Sequence, residues 1–111
     1  MTIPDSIKSI GNYAFCGCSN LSSITIPEGV TSIGSAAFTW CESLTSVTIN
    51  SDAIINKTYS NASNISNIFG SQVTEYVIGD SVNGIGDYAF FGCSSLTSIA
   101  IGSNVTNIGF A

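Results

Sequence analysis

Isoleucines stand at Ile3, Ile26, Ile49, Ile78 and Ile101, so the chain repeats itself every 23 residues, with one interval of 29. Four positions after each anchor comes Ile7, Val30, Ala53, Val82 or Val105. Seven positions after four of the anchors comes Ile10, Ile33, Ile85 or Ile108, and glycine follows at once. The pairs Ala14-Phe15, Ala37-Phe38 and Ala89-Phe90 recur next, then Cys18, Cys41 and Cys93, then Leu21, Leu44 and Leu96. Each full unit closes on Ile24, Val47 or Ile99, two residues before the next anchor. A unit this short cannot bury its own apolar face. It must stack on copies of itself, which is the signature of a solenoid.

Within each unit the local pattern predicts the elements. Ser23-Ile24-Thr25-Ile26, Ser46-Val47-Thr48-Ile49 and Ser98-Ile99-Ala100-Ile101 alternate polar and apolar residues, the period of a strand with one face buried. Stacked copies make these strands parallel neighbours. Pro4 and Pro27 follow the anchoring isoleucine, where a residue without an N–H ends the ladder rather than interrupting it. The glycine after Ile10, Ile33 and Ile85 suits a tight bend into a short helical turn that lowers the Ala-Phe pair onto the core. The expectation is one α/β solenoid domain over 1–111, right-handed, with a narrow parallel sheet on one side. Its coils fall at about 2–24, 25–47, 48–76, 77–99 and a truncated 100–111.

The run Ile26-Pro27-Glu28-Gly29-Val30-Thr31-Ser32-Ile33-Gly34, followed by Ala37-Phe38, Cys41 and Leu44-Thr45-Ser46-Val47, resembles the BspA-like leucine-rich repeats of bacterial surface proteins. Equivalents around Ile3 and Ile78 extend the resemblance over essentially the whole chain. It implies short parallel strands on a concave side and helical turns on a convex side. It also implies a secreted or cell-surface location and a non-enzymatic role in adhesion to host extracellular matrix proteins or other cells, through a protein or glycan ligand. A spacer segment of a larger surface protein, with no ligand of its own, is the alternative.

Coil three departs from the pattern, with neither the Ala-Phe pair nor the cysteine. Ile65, Ile68 and Phe69 share a helical face, which predicts an outward-bulging convex helix of two to three turns within 60–69, capped by Ser60, Asn61 or Ser63. Gln72 to Ile78 then restores the strand register.

The chain has no histidine, which removes Ser-His-Asp and Cys-His nucleophile arrangements and the usual general base near neutral pH. Asp5, Glu28, Glu42, Asp52, Glu75, Asp80 and Asp87 are scattered among turns, so no acid pair for glycoside hydrolysis is indicated. Glu28, Asp52 and Asp80 nearly correspond along one rim without composing a calcium site. Cys16 and Cys18 lack the second pair that structural zinc needs, so no metal and no cofactor is expected. Cys18, Cys41 and Cys93 read as a packing ladder of free thiols. With 2 basic against 7 acidic residues, nucleic-acid binding is disfavoured. No apolar run approaches the roughly 20 residues of a membrane span, and the start lacks a secretory signal pattern. Five Asn-x-Ser/Thr matches are what this Ser-, Thr- and Asn-rich composition supplies by itself.

The natural binding surface of a curved solenoid is its strand face. Its outward rows are Ser22, Ser23 and Thr25, then Thr45, Ser46 and Thr48, then Thr74, Glu75 and Val77, then Thr97, Ser98 and Ala100. Hydroxyls dominate, suiting hydrogen bonds to a polypeptide or glycan rather than charge steering. Trp40 and Tyr59 are the aromatics that the repeat explains least, since Gly17 and Gly92 stand where Trp40 stands. The candidate ligand-binding residues are therefore Ser23, Thr25, Trp40, Ser46, Thr48, Glu75, Val77 and Ser98. The chain opens directly on a repeat and stops in mid-coil, so the terminal layers are expected to expose apolar residues. That exposure suggests a fragment of a longer array, or end-to-end self-association.

Overall fold

The computed structural model describes residues 3–34 and 36–109. The coils anchored at Ile26, Ile78 and Ile101 each contribute two parallel strands, a long one at the anchor and a short one ending seven residues later. The coil anchored at Ile3 contributes the short one among the described residues. In chain order the elements are β1 (Ser9–Ile10), β2 (Ser23–Ile26), β3 (Ser32–Ile33), β4 (Ser46–Ile49), α1 (Asp52–Ile55), α2 (Ile65–Phe69), β5 (Glu75–Ile78), β6 (Gly84–Ile85), β7 (Ser98–Ile101) and β8 (Asn107–Ile108). The four-residue strands form one sheet in the order β2-β4-β5-β7, every pair parallel. Crossovers between such parallel neighbours take the right-handed sense. The short strands pair as β1-β3 and β6-β8.

Like side chains lie over like side chains. Ile26, Ile49 and Ile78 are register partners and all buried, while the serines and threonines between them face outward. Phe15 stacks on Phe38 with centroids 5.1 Å apart and planes 9° from parallel. Phe69 of α2 continues the column at 5.0 Å from Phe38, Tyr76 follows Phe69 at 6.3 Å, and Phe90 meets Tyr76 edge-on at 5.0 Å. The irregular coil thus supplies a ring without any Ala-Phe pair.

Coil three differs from expectation in three respects. The convex helix is only the five residues of α2, capped by Asn64 rather than Ser60, Asn61 or Ser63. Asn64 and Asn67 form a reciprocal capping box, whereas the Ser60 hydroxyl accepts from the Ala62 and Ser63 amides and holds that stretch as a turn. A second helix, α1, stands where a short strand belongs and divides the short-strand sheet in two. Its N-cap is the buried Ser51, whose hydroxyl donates to the Val30 carbonyl and accepts from the Ile54 amide. Helical rotation then turns Ala53 outward and buries Ile54 and Ile55 instead.

The glycines after the short strands also need a different explanation. Gly34, Gly86 and Gly109 have no positive φ, so a tight bend is not what selects them. Each donates its N–H one layer back, to Ile10, Ile55 and Ile85 at 2.7, 2.9 and 2.7 Å. A Cβ on Gly34 would stand 2.5 Å from the Asn12 amide nitrogen, and one on Gly86 would collide with the Lys57 carbonyl. Absence of a side chain is what permits the layers to close.

Candidate functional site

The sheet's outward face carries two aligned rows. Ser23, Ser46, Glu75 and Ser98 are successive register partners, and so are Thr25, Thr48, Val77 and Ala100. Backbone pairing brings seven of the eight candidate residues together on this face. Ser46 donates to the Glu75 carboxylate at 2.9 Å, so this pair is one hydrogen-bonded unit. Thr74 and Thr97, just before their strands, donate to the carbonyls of Thr45 and Thr74 at 3.2 and 3.1 Å, which commits those hydroxyls to the ladder. Beside Thr25 the face dips into a hollow of about 380 Å³ lined by Ile3, Asp5, Pro27, Glu28, Asn50 and Ser81.

The rim acids act as ties between coils. Glu28 accepts from the Ser81 hydroxyl at 2.7 Å, Asp52 from the Asn83 amide at 2.7 Å, and Asp80 from the Ser103 amide at 3.2 Å. Among the described residues no three metal-ligating side chains converge. All four cysteines are thiols. Cys41 is buried and donates to the Phe15 carbonyl at 3.1 Å, and burial raises its pKa. Cys93, for which the repeat offered no partner in coil three, neighbours the Tyr76 hydroxyl, and burial raises its pKa. Burial, reinforced by that thiol, holds the Tyr76 phenol far above its ordinary range.

Trp40 lies elsewhere. It sits in the turn after β3, 71% exposed, with φ 64°. Its register equivalents Gly17 and Gly92 have φ 77° and 79°, so the turn demands a left-handed residue and coil two alone supplies a bulky one. Trp40 borders a cavity of about 260 Å³ against α2, and no strand residue lines it. The groove between this turn and α2 was not legible in the repeat. Its sequence signal is the Asn64-x-x-Asn67 capping pair ahead of Ile68-Phe69. Tyr59 has a structural role: its hydroxyl donates to the Ile54 carbonyl at 2.5 Å, Lys57 Nζ lies 5.0 Å from its ring centroid, and burial pushes the phenol up to about 12.

Stacked parallel strands, an inward aliphatic ladder and turns on the opposite side define a leucine-rich repeat solenoid. The family described as BspA type leucine rich repeat region (6 copies) matches residues 1–75 and 69–111, and the chain belongs to that family. Repeats of this family and fold are typically non-enzymatic. A leucine-rich repeat protein from Eubacterium ventriosum superposes at a TM-score of 0.56 with 21% identity, over 91% of this chain and 32% of that one. A leucine rich cell surface protein from Faecalibacterium prausnitzii A2-165 shares 23% identity over 100% of this chain and 31% of its own, at a TM-score of 0.45. The first likeness supports the fold, whereas the second superposition is too loose to add weight. The chain thus spans about a third of the length of either protein. No curated protein matches it. Among the described residues no helix is long and apolar enough to cross a membrane.

Proposed function

We propose that the chain is a non-enzymatic binding module of a bacterial secreted or cell-surface protein, engaging host or cell-surface macromolecules through the outward face of its four-stranded sheet. The observation that carries this reading is the pair of outward rows in unbroken register across β2, β4, β5 and β7. Hydroxyls, one carboxylate and the adjoining hollow present a flat, weakly charged surface to a polar partner. Contacts of this kind are individually weak, and repetition along a longer array raises avidity without new chemistry. Adhesion to extracellular matrix proteins is the specific form proposed.

The test immobilises a panel of such proteins and measures binding of this chain and of its longer parent. Saturable binding that is lost in a Thr25→Lys, Thr48→Lys, Ser98→Lys variant supports the module. No binding by either form at micromolar concentration refutes it, and a parent whose function survives the triple variant is using the segment as a spacer. The exposed Ile99 and Ile101 of β7 and Ile108 of β8 extend the proposal to self-association through that end of the stack. Light scattering that shows a monomer at every concentration overturns that extension.

A further inference from the structure

Trp40 is retained at a backbone position that disfavours it. At φ 64° a side chain with a Cβ is strained, and coils one and four meet the same requirement with Gly17 and Gly92. The indole does not repay that strain by packing, because it is 71% exposed. Tyr13 is also left-handed and exposed, but its register equivalents Ala36 and Tyr88 carry side chains too. Trp40 alone stands where the other regular coils use glycine, so the fold does not call for its bulk and the indole is free for recognition.

The adjacent cavity shows what kind of ligand fits. Its walls include Trp40, Glu42, Asn67, Ile68, Gly70 and Gln72. Gln72 is a fixed wall, since its Nε2 donates to the carbonyls of Cys41, Leu44 and Phe69 at 3.3, 3.0 and 2.8 Å. Asn67 Oδ1 accepts from the Asn64 amide at 2.8 Å, which leaves its NH2 group as a donor. The irregular coil adds a backbone donor. In coil one the Phe15 and Gly17 amides donate to Ala37 and Thr39 of the next coil at 2.7 and 2.8 Å. The Trp40 amide, equivalent to that of Gly17, has no such partner among the described residues, where α2 stands in place of the next turn.

We propose that this groove is a subsite for a neutral oligosaccharide, with a pyranose ring lying on the Trp40 indole. The indole offers a flat apolar platform to the C–H face of the sugar. Glu42 accepts from ring hydroxyls, and the Asn67 amide and the Trp40 backbone N–H donate to hydroxyl oxygens. An anionic glycan is excluded by Glu42 and by a net charge of −5 with only Lys8 and Lys57 in the chain. An extended peptide fits less well. Strand addition needs alternating donors and acceptors, yet the carbonyls of Ala37, Phe38 and Thr39 already accept from Phe15, Cys41 and Gly17. No sheet residue takes part, so this site stands or falls independently of the binding face proposed above.

Trp40 is the chain's single tryptophan, so its intrinsic fluorescence reports this site alone. Cellohexaose, maltohexaose and chitohexaose, each titrated to roughly 10 mM, are compared with a heparin hexasaccharide and with a basic hexapeptide. The expected result is a saturable change with at least one neutral hexasaccharide and none with the other two probes. By calorimetry, Glu42→Gln should weaken that binding roughly tenfold and Trp40→Gly should abolish it, while far-UV circular dichroism stays unchanged. Trp40→Phe, which keeps a ring on the platform, should retain weaker binding. No response to any neutral hexasaccharide, a response only to heparin or the peptide, or undiminished binding by Trp40→Gly would each overturn the proposal.

Discussion

Gly11 and Gly34 occupy the same register of the repeat, follow equivalent isoleucines and both lack a positive φ, yet their surroundings differ completely. A Cβ on Gly11 meets nothing within 4 Å, whereas one on Gly34 meets the Asn12 amide nitrogen at 2.5 Å and the Gly11 carbonyl carbon at 2.7 Å. Ordinary Cβ contact begins at 3.4 Å, so Gly34→Ala must part the two layers locally by about 0.9 Å. The bonds resisting that movement are short: Gly34 donates to the Ile10 carbonyl at 2.7 Å and Phe15 to the Ala37 carbonyl at 2.7 Å. Losing one buried backbone bond costs about 1–3 kcal/mol, and overpacking adds about 1–3 kcal/mol. A total near 2–6 kcal/mol lowers Tm by roughly 10 °C or more in a domain of this size. Gly11→Ala, by contrast, restricts only the unfolded chain and should be neutral or stabilising by up to about 1 kcal/mol. Urea and thermal denaturation followed by circular dichroism measure both. Equal destabilisation by the two substitutions would show that this glycine serves backbone conformation and would refute the layer-contact argument.

Other consequences follow from the same geometry. Phe38→Ala removes the ring that touches both Phe15 and Phe69 and should cost about 3–5 kcal/mol, more than Phe15→Ala at the half-buried start of the column, as read from urea midpoints. Trp40→Gly relieves a left-handed residue and should stabilise by about 1 kcal/mol, seen as a higher Tm; a lower Tm would mean that the indole packs for stability. Tyr59 and Tyr76 have folded pKa values raised above the ordinary 10.0, so below about pH 10 both phenols are neutral folded or unfolded and their contribution is complete. Above that pH the unfolded chain loses its phenolic protons first, so stability should fall as pH rises from about 10 through 12. Tyr76→Phe should weaken that alkaline loss and, because the buried hydroxyl has no hydrogen-bond partner among the described residues, leave stability at pH 7 equal or up to about 1 kcal/mol higher. An unaltered alkaline profile would remove Tyr76 from this account.

The regular coils were legible because identity at fixed spacing reports stacking directly: Ile26, Ile49 and Ile78 are partners in the sheet as their spacing required. The shift of the third interval from 23 to 29 residues was visible, but its content was not. Phe69 reaches the aromatic column from a helix, a three-dimensional substitution that no linear register records. Ala53 holds its place in sequence and loses it in space, because Ser51 caps a helix there and the period changes from two to 3.6. The candidate sheet face was readable from strand alternation. Trp40 was marked as unusual by Gly17 and Gly92, but the reason lay in φ, which the sequence only implied. The groove beside it arises from a missing layer of turn pairing and needed coordinates to be seen.

The most direct test of the account is a pair of engineered cross-links on the sheet. Thr25 and Thr48 are register partners on adjacent strands, whereas Thr25 and Val77 are separated by β4. Adjacent strands lie about 4.8 Å apart, within disulfide reach, and strands two apart lie near 9.6 Å, beyond it. Under mild oxidation, peptide mapping by mass spectrometry should find the cross-link in the Thr25→Cys/Thr48→Cys variant and none between the new cysteines of Thr25→Cys/Val77→Cys. A bond between positions 25 and 77, or no bond between 25 and 48, would contradict a solenoid of like layers.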